Sequence, residues 1–265
     1  MDSKIKFSKY QGAGNDFILI DNRTGFLDRN NDDLIRSLCD RRFGIGADGL
    51  MLLQDNKNFD FEMVYYNADG GEASMCGNGG RCIVAFARDL GIIADKTVFL
   101  AVDGKHEALI HENQVDLGMI DVSSVTRDGD AYVLNTGSPH YIAWANDLHN
   151  MDVYQIGSSI RNNDTYQKEG INVNFVEREE AGYFVRTFER GVEDETLACG
   201  TGATAAAMAI ALHDGLDGQL EIPIRVLGGQ LYISFHKDGH HFTQVRLKGP
   251  AQFVFKGTFL SPFSR

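Results

Sequence analysis

Cys76 and Cys199 stand in matching surroundings. The first lies in Asn67-Ala68-Asp69-Gly70-Gly71-Glu72-Ala73-Ser74-Met75-Cys76-Gly77-Asn78-Gly79-Gly80, the second in Arg190-Gly191-Val192-Glu193-Asp194-Glu195-Thr196-Leu197-Ala198-Cys199-Gly200-Thr201-Gly202-Ala203. Each cysteine precedes a Gly-x-Gly, follows a Glu by four residues, and follows a polar hydrogen-bonding residue (Asn67, Arg190) by nine. The proline-free runs beyond, Ile83 to Leu90 and Thr204 to Leu212, read as helices. Both thiols are therefore expected at helix N-termini, where unpaired N–H groups and the positive dipole end favour the reactive thiolate. Two such helix starts offer donors for a carboxylate and for the charge that builds when its α-carbon loses a proton. A thiolate removing that proton, with a thiol returning one on the opposite face, would invert a stereocentre.

Other chemistries fit these residues less well. Neither Gly-x-Gly copy meets the three-glycine dinucleotide pattern or carries the Lys-Ser/Thr of a phosphate loop. Cys76 and Cys82 with distant histidines are weak grounds for zinc, and the chain has no Cys-x-x-Cys for thiol redox work. No cofactor motif supplies an electron sink, so neither cofactor nor metal is expected. Cys39 and Cys82 lie in apolar helical contexts and read as small buried hydrophobes.

The duplication extends to other polar residues. Asn15 in Gly12-Ala13-Gly14-Asn15-Asp16-Phe17-Ile18 matches His140 in Gly137-Ser138-Pro139-His140-Tyr141-Ile142, each three residues after a Gly. Gly49 and Asn172 each stand 27 residues before a cysteine. Alone, His140 would pass for an ordinary satisfied histidine; its place in the repeat points it at the thiol site. Glu189-Arg190 could be a solvated pair at a strand end, but Arg190 fills the slot of Asn67, where a guanidinium suits bidentate capture of a carboxylate. The acidic run Glu193-Asp194-Glu195 reads as a solvated loop.

The elements that must hold these residues are mostly strands. Apolar or alternating runs at Phe17 to Ile20, Gly49 to Leu53, Phe61 to Tyr66, Val98 to Val102, Val115 to Met119, Tyr183 to Phe188, Ile222 to Leu227, Leu231 to Phe235 and Thr243 to Leu247 fit strands. Helical patterns cover Asp32 to Asp40, Tyr154 to Arg161 and the two runs after the cysteines. Twenty-nine glycines against four prolines suit tight turns. Self-similarity over about half the chain predicts two homologous domains, residues 1–122 and 123–252, joined by a short crossover near residues 120–130.

The chain of 265 residues is 43% hydrophobic, enough for two cores. Its formal charge of −12 argues against nucleic acid and anionic membrane surfaces as partners. Met1 to Tyr10 lacks the apolar core of a signal peptide, and Ala203 to Leu212 is too short to span a bilayer. Four cysteines in a chain of this length suit a reducing cytoplasm.

These segments, with Phe43-Gly44-Ile45-Gly46-Ala47-Asp48-Gly49, Cys76-Gly77-Asn78-Gly79-Gly80-Arg81-Cys82 and Glu189-Arg190-Gly191, resemble the diaminopimelate epimerase family in order over most of the chain. The resemblance implies an α/β fold of two pseudo-symmetric domains. Each would be a mixed, mostly antiparallel sheet wrapped around a central helix, with the active site in the cleft between them and the strand at 253–265 returning to the first domain. It implies a cytoplasmic homodimer that converts LL- to meso-2,6-diaminopimelate in lysine and peptidoglycan precursor synthesis, without pyridoxal phosphate or metal. Cys76 and Cys199 would be the acid and base pair. Gly77, Asn78, Gly200 and Thr201 would bind the reacting carboxylate. Asn15, Asn67, Asn172 and Arg190 would hold the distal amino-acid end, and His140 and Glu189 would tune the thiols, with Glu189 also near substrate. Two positions depart from the commonest family pattern: Gly49 stands where many members have Gln, and Ser138 where an Asn precedes Pro-His.

Rival readings remain. A proline or hydroxyproline racemase would leave Arg190, Asn67 and Asn172 with nothing to bind. A non-catalytic amino-acid-binding protein would not need both thiols. A thiol redox protein would act on a dithiol partner.

Overall fold

The computed structural model describes residues 4–73 and 75–260. They form β1 (Lys4–Gly12), β2 (Asn15–Asp21), α1 (Asp32–Cys39), β3 (Gly49–Gln54), β4 (Glu62–Asn67), α2 (Gly77–Asp89), β5 (Lys96–Ala101), β6 (Gly104–His111) and β7 (Gln114–Gly118). There follow β8 (Val125–Asp128), β9 (Ala131–Asn135), β10 (Pro139–Trp144), α3 (Val153–Arg161), β11 (Asn172–Glu179), β12 (Gly182–Glu189), β13 (Asp194–Thr196), α4 (Gly200–His213), β14 (Gly218–Val226), β15 (Gly229–Asp238), β16 (His241–Pro250) and β17 (Gln252–Leu260).

Two compact units result. The first comprises the described residues up to Leu117 and those from Pro250 onward; the second runs from Gly118 to Gly249. In the first, hydrogen bonding links β17 to β1, β1 to β2, and so on through β7, with β2–β3 and β4–β5 parallel and the other pairs antiparallel. The second repeats this scheme. There β8–β9 and β9–β10 are antiparallel, β10–β11 parallel, β11–β12 antiparallel, β12–β14 parallel and β14–β15–β16 antiparallel. The C-terminal β17 thus has the topological place in the first unit that β8 has in the second. Residues 261–265 of the expected returning strand lie outside the described residues.

Parallel neighbours need crossovers, and helices supply them in both units. In the first, α1 joins β2 to β3 and α2 joins β4 to β5; in the second, α3 joins β10 to β11 and α4 lies between β12 and β14. The longer helix of each pair is the interior one. Every residue of α2 from Gly77 to Ala87 is buried, and in α4 only Thr201, Leu212 and His213 are not. Such helices need side chains that let strands approach on all sides, and the Ala-rich stretch Ala203 to Ala211 provides them. The short helices are amphipathic and capped by Asn31 and Asp152.

The acidic run Glu193-Asp194-Glu195 is exposed at Glu193 and Asp194, as expected of a solvated segment, but departs from the expected loop at its end. Asp194 and Glu195 belong to β13, which pairs with β12. Both oxygens of Glu195 accept from Arg186 at 2.6 Å, with both side chains largely buried. Glu193 pairs with Arg161 at 3.2 Å. Glu195 is a structural anchor because strand pairing brings Arg186 from the facing strand against it.

Candidate active site

Cys76 is the N-cap of α2 and Cys199 the N-cap of α4, each with extended backbone and no side-chain capping bond. The first intrahelical bonds are Gly80 N to Cys76 O and Ala203 N to Cys199 O. Gly77, Asn78 and Gly79, and likewise Gly200, Thr201 and Gly202, therefore carry N–H groups without intrahelical partners. These are the donors expected to receive a carboxylate.

The last glycine of each motif leaves room for a side chain of the underlying sheet. A Cβ on Gly79 would lie 2.2 Å from Met51 Cε, and one on Gly202 would lie 2.3 Å from Asn174 Oδ1 and 3.3 Å from Cys199 Sγ. The Gly-x-Gly pattern here seats a helix start on its sheet.

Around Cys76, Asn15 Oδ1 lies 3.8 Å from Sγ and 3.4 Å from Asn78 Nδ2. Asn78 Oδ1 accepts from Arg81 Nη2 at 2.9 Å, which turns the Asn78 NH2 toward Asn15. Arg81 is wholly buried and also donates to Gly77 O at 3.1 Å and Pro250 O at 3.4 Å. All three acceptors are neutral oxygens. Burial pushes the pKa of this guanidinium down, while thiolates at Cys82 and Cys76 would push it up. Reciprocally, the buried cation and the helix start favour the Cys76 thiolate. Cys82 and Cys39 are held as thiols by burial, which pushes each up to about 12.

Asn67 ends β4 exposed, opposite Gly49. A Cβ on Gly49 would meet the Tyr65 ring at 2.6 Å, so the phenol occupies the space a side chain at position 49 would need. Tyr65 leans diagonally across the strand pair, the reach expected of an aromatic ring.

In the second unit Cys199 Sγ lies 3.5 Å from Thr201 Oγ1, and Thr136 Oγ1 donates to Thr201 O at 2.8 Å. His140 is fully buried beside Asn172 in the β10–β11 register. Burial first, and the Arg190 charge second, drive its pKa down to about 3. It is thus neutral at physiological pH. Its tautomer follows from Asn174, whose Nδ2 donates to Tyr141 O at 3.1 Å and Asn172 O at 3.3 Å while its Oδ1 accepts from Thr187 Oγ1 at 2.9 Å. That orientation presents NH2 to His140 Nδ1 at 3.2 Å, so Nδ1 accepts and Nε2 carries the proton. Among the described residues no polar group meets Nε2.

Asn172 is a brace. Its Nδ2 donates to Ser138 Oγ at 2.9 Å and Pro139 O at 3.0 Å, and its Oδ1 accepts from Arg190 N at 2.9 Å. Arg190 Nη2 also donates to Ser138 Oγ at 3.3 Å and Nη1 to Glu169 O at 3.0 Å. Two donors converge on the Ser138 hydroxyl, whose own proton is left to donate elsewhere. The partners of Arg190 are neutral, and its side chain is exposed. Glu189 Oε2 accepts from Thr196 Oγ1 at 3.0 Å. Asn174, Arg81, Asp48 and Tyr65 join the residues expected from sequence; Arg81 and Asp48 lie inside quoted motifs, Tyr65 in an expected strand and Asn174 two residues past Asn172, but contact between side chains leaves no spacing signature.

The crystal structure of a PhzF-family phenazine biosynthesis protein from Bacillus anthracis superposes with a TM-score of 0.79 at 13% identity, covering 98% of this chain and 100% of that one. A hydroxyproline epimerase from Agrobacterium vitis gives 0.69 at 13% identity, covering 99% and 95%. The fold is therefore that of a class whose solved members include a hydroxyproline epimerase. In sequence, the diaminopimelate epimerase family matches residues 7–122 and 132–254. The Flavobacterium psychrophilum diaminopimelate epimerase is 52% identical over 256 residues, covering 96% of this chain and all of that protein. This chain belongs to the diaminopimelate epimerase family.

Proposed function

We propose that the chain interconverts LL- and meso-2,6-diaminopimelate by two-base proton transfer between Cys76 and Cys199. The observation that carries this reading is the matched pair of cysteine N-caps on α2 and α4 in a duplicated topology, within a chain of this family. One cysteine, as thiolate, takes the α-proton and becomes a thiol. The electron pair left on carbon is stabilised by the carboxylate it adjoins, whose oxygens receive helix-start N–H groups. The other cysteine, as thiol, gives its proton to the opposite face and ends as a thiolate. The reverse reaction exchanges the roles, which is why a duplicated framework suits it.

The helix-start N–H groups of Gly77, Asn78, Gly200 and Thr201 hold the reacting carboxylate in this reading. Arg190, exposed and bonded only to neutral oxygens among the described contacts, receives the distal carboxylate. Asn15 and Asn67 complete the distal binding, and Asn172 fixes Ser138 and Arg190. His140 acts as a neutral donor through Nε2, with Glu189 as the nearby acid. Family membership supports a place in lysine and peptidoglycan precursor synthesis, a cytoplasmic setting, a homodimer and independence of cofactors.

The test is incubation of purified protein with LL-diaminopimelate in D2O without added cofactor. Formation of the meso isomer carrying one α-deuterium is expected. Epimerisation that depends on added pyridoxal phosphate or metal would overturn the mechanism.

A further inference from the structure

We infer that Asp48 is a positioning residue that fixes the side-chain amide of Asn15 with its oxygen toward Cys76. The inference rests on the reading of Cys76 as a proton-transfer group. Asp48 Oδ2 accepts from Asn15 Nδ2 at 2.5 Å and from Asp16 N at 3.2 Å, and Oδ1 accepts from Arg41 Nη2 at 2.6 Å. An ionised carboxylate has no proton to donate, so only the NH2 end of the amide can face it. The carbonyl end must then point the other way, to Cys76 Sγ at 3.8 Å and Asn78 Nδ2 at 3.4 Å.

The carboxylate is itself held. Asp48 N donates to Asp16 O at 3.0 Å, and Arg41 bridges Asp48 to Asp16, each at 2.6 Å. Asp16 also pairs with Lys9 at 2.7 Å. Burial would raise the Asp16 pKa, but hydrogen bonds from Arg41 and Lys9 outweigh it and hold it at about 2. Two acids and two bases thus form a chain of ion pairs behind Asn15.

The chemical consequence falls on the thiol. An amide oxygen only accepts, so beside Sγ it favours S–H over the thiolate, whereas an NH2 there would favour the thiolate. Opposing it are the α2 helix start and Arg81 on the same helix; Cys82 is the other titratable group of α2 nearby, and Asp16, Asp48, Lys9 and Arg41 stand behind Asn15. A group that must serve as acid and as base needs both forms accessible, and Asn15 held oxygen-inward counterweights the cationic side.

The test is the pH dependence of Cys76 alkylation by iodoacetamide in the full chain, followed by peptide mapping, for wild type, Asp48→Asn, Asn15→Leu and the double variant. Asp48→Asn keeps the shape but lets the Asn15 amide turn over. The Cys76 apparent pKa should fall by about one unit, the worth of one hydrogen bond to an ionising group, and Asp48→Glu should recover part of the shift. Removing a negative charge would also lower this pKa directly, and the cycle separates the two. In the Asn15→Leu background the further change Asp48→Asn should have a smaller effect, that of the lost charge alone. An unchanged alkylation profile in Asp48→Asn, or a shift equally large with Leu at position 15, overturns the inference. Retained epimerisation in Cys76→Ala would instead overturn the proposed function, whatever the alkylation profile.

Discussion

Asn174 Nδ2 lies 3.2 Å from His140 Nδ1, and two backbone carbonyls fix the direction of that amide. A buried strand residue thereby sets the tautomer of a buried histidine on the neighbouring strand. Replacing Asn174 by Leu should cost about 1–3 kcal/mol, since Tyr141 O and Asn172 O lose their buried donor. Urea denaturation measures the loss, and a change under about 0.5 kcal/mol would show that the amide is not the brace described.

His140 also gives stability a pH dependence of definite sign. Its pKa falls from 6.5 to about 3 on burial, so between these values the unfolded chain binds a proton the folded one does not. The neutral ring is accommodated in full above about pH 6.5, and stability is lost as pH falls toward 3. Urea midpoints for wild type and His140→Gln at pH 7.5 and 5 check this. The decline should be shallower in the variant by up to one proton's worth, and identical slopes would contradict it.

Gly49 and Tyr65 share one volume, because a Cβ at position 49 would meet the phenol ring at 2.6 Å. Gly49→Gln should overpack the strand pair and destabilise by about 1–3 kcal/mol. Adding Tyr65→Ala should recover only part of that loss, because the Tyr66 carbonyl oxygen, also 2.6 Å from such a Cβ, stays in place. Thermal melts of the single and double variants decide; a Gly49→Gln protein as stable as wild type would mean that the ring moves aside at little cost.

Among the described residues the Arg190 guanidinium donates to the neutral Glu169 O and Ser138 Oγ, which suits its proposed pairing with a distal carboxylate. Arg190→Ala should lower kcat/KM for diaminopimelate by about one to two decades, the worth of a charged hydrogen bond of about 1.5–3 kcal/mol. Proline should be a negligible substrate of the unmodified enzyme. Efficient proline racemisation, indifferent to Arg190→Ala, would favour a racemase of simple amino acids.

The thiols were legible in sequence because their setting is duplicated, and duplication is visible without coordinates. The start of α2 at Gly77 was legible only through that duplication, since Gly77-Asn78-Gly79-Gly80 is poor in helix propensity and the apolar run begins at Ile83. Strand β17 escaped a periodicity search because most of it is exposed on both faces, and β8 because only its first residue is even partly buried. Glu195 shows the same limit in the site region, for its partner Arg186 is brought to it by strand pairing. Asn174, Asp48 and Arg81 act on other side chains, so their roles emerge only when distant strands are placed side by side.

In the proposed mechanism Cys76 and Cys199 are both proton-transfer groups for one reaction. The direct measurement is the epimerisation rate of Cys76→Ala and Cys199→Ala, each assayed from LL- and from meso-diaminopimelate, with circular dichroism confirming the fold. Both variants should lose turnover in both directions while keeping the wild-type spectrum, because each lacks one of two obligatory proton carriers. Near wild-type turnover by either variant would contradict the two-thiol account.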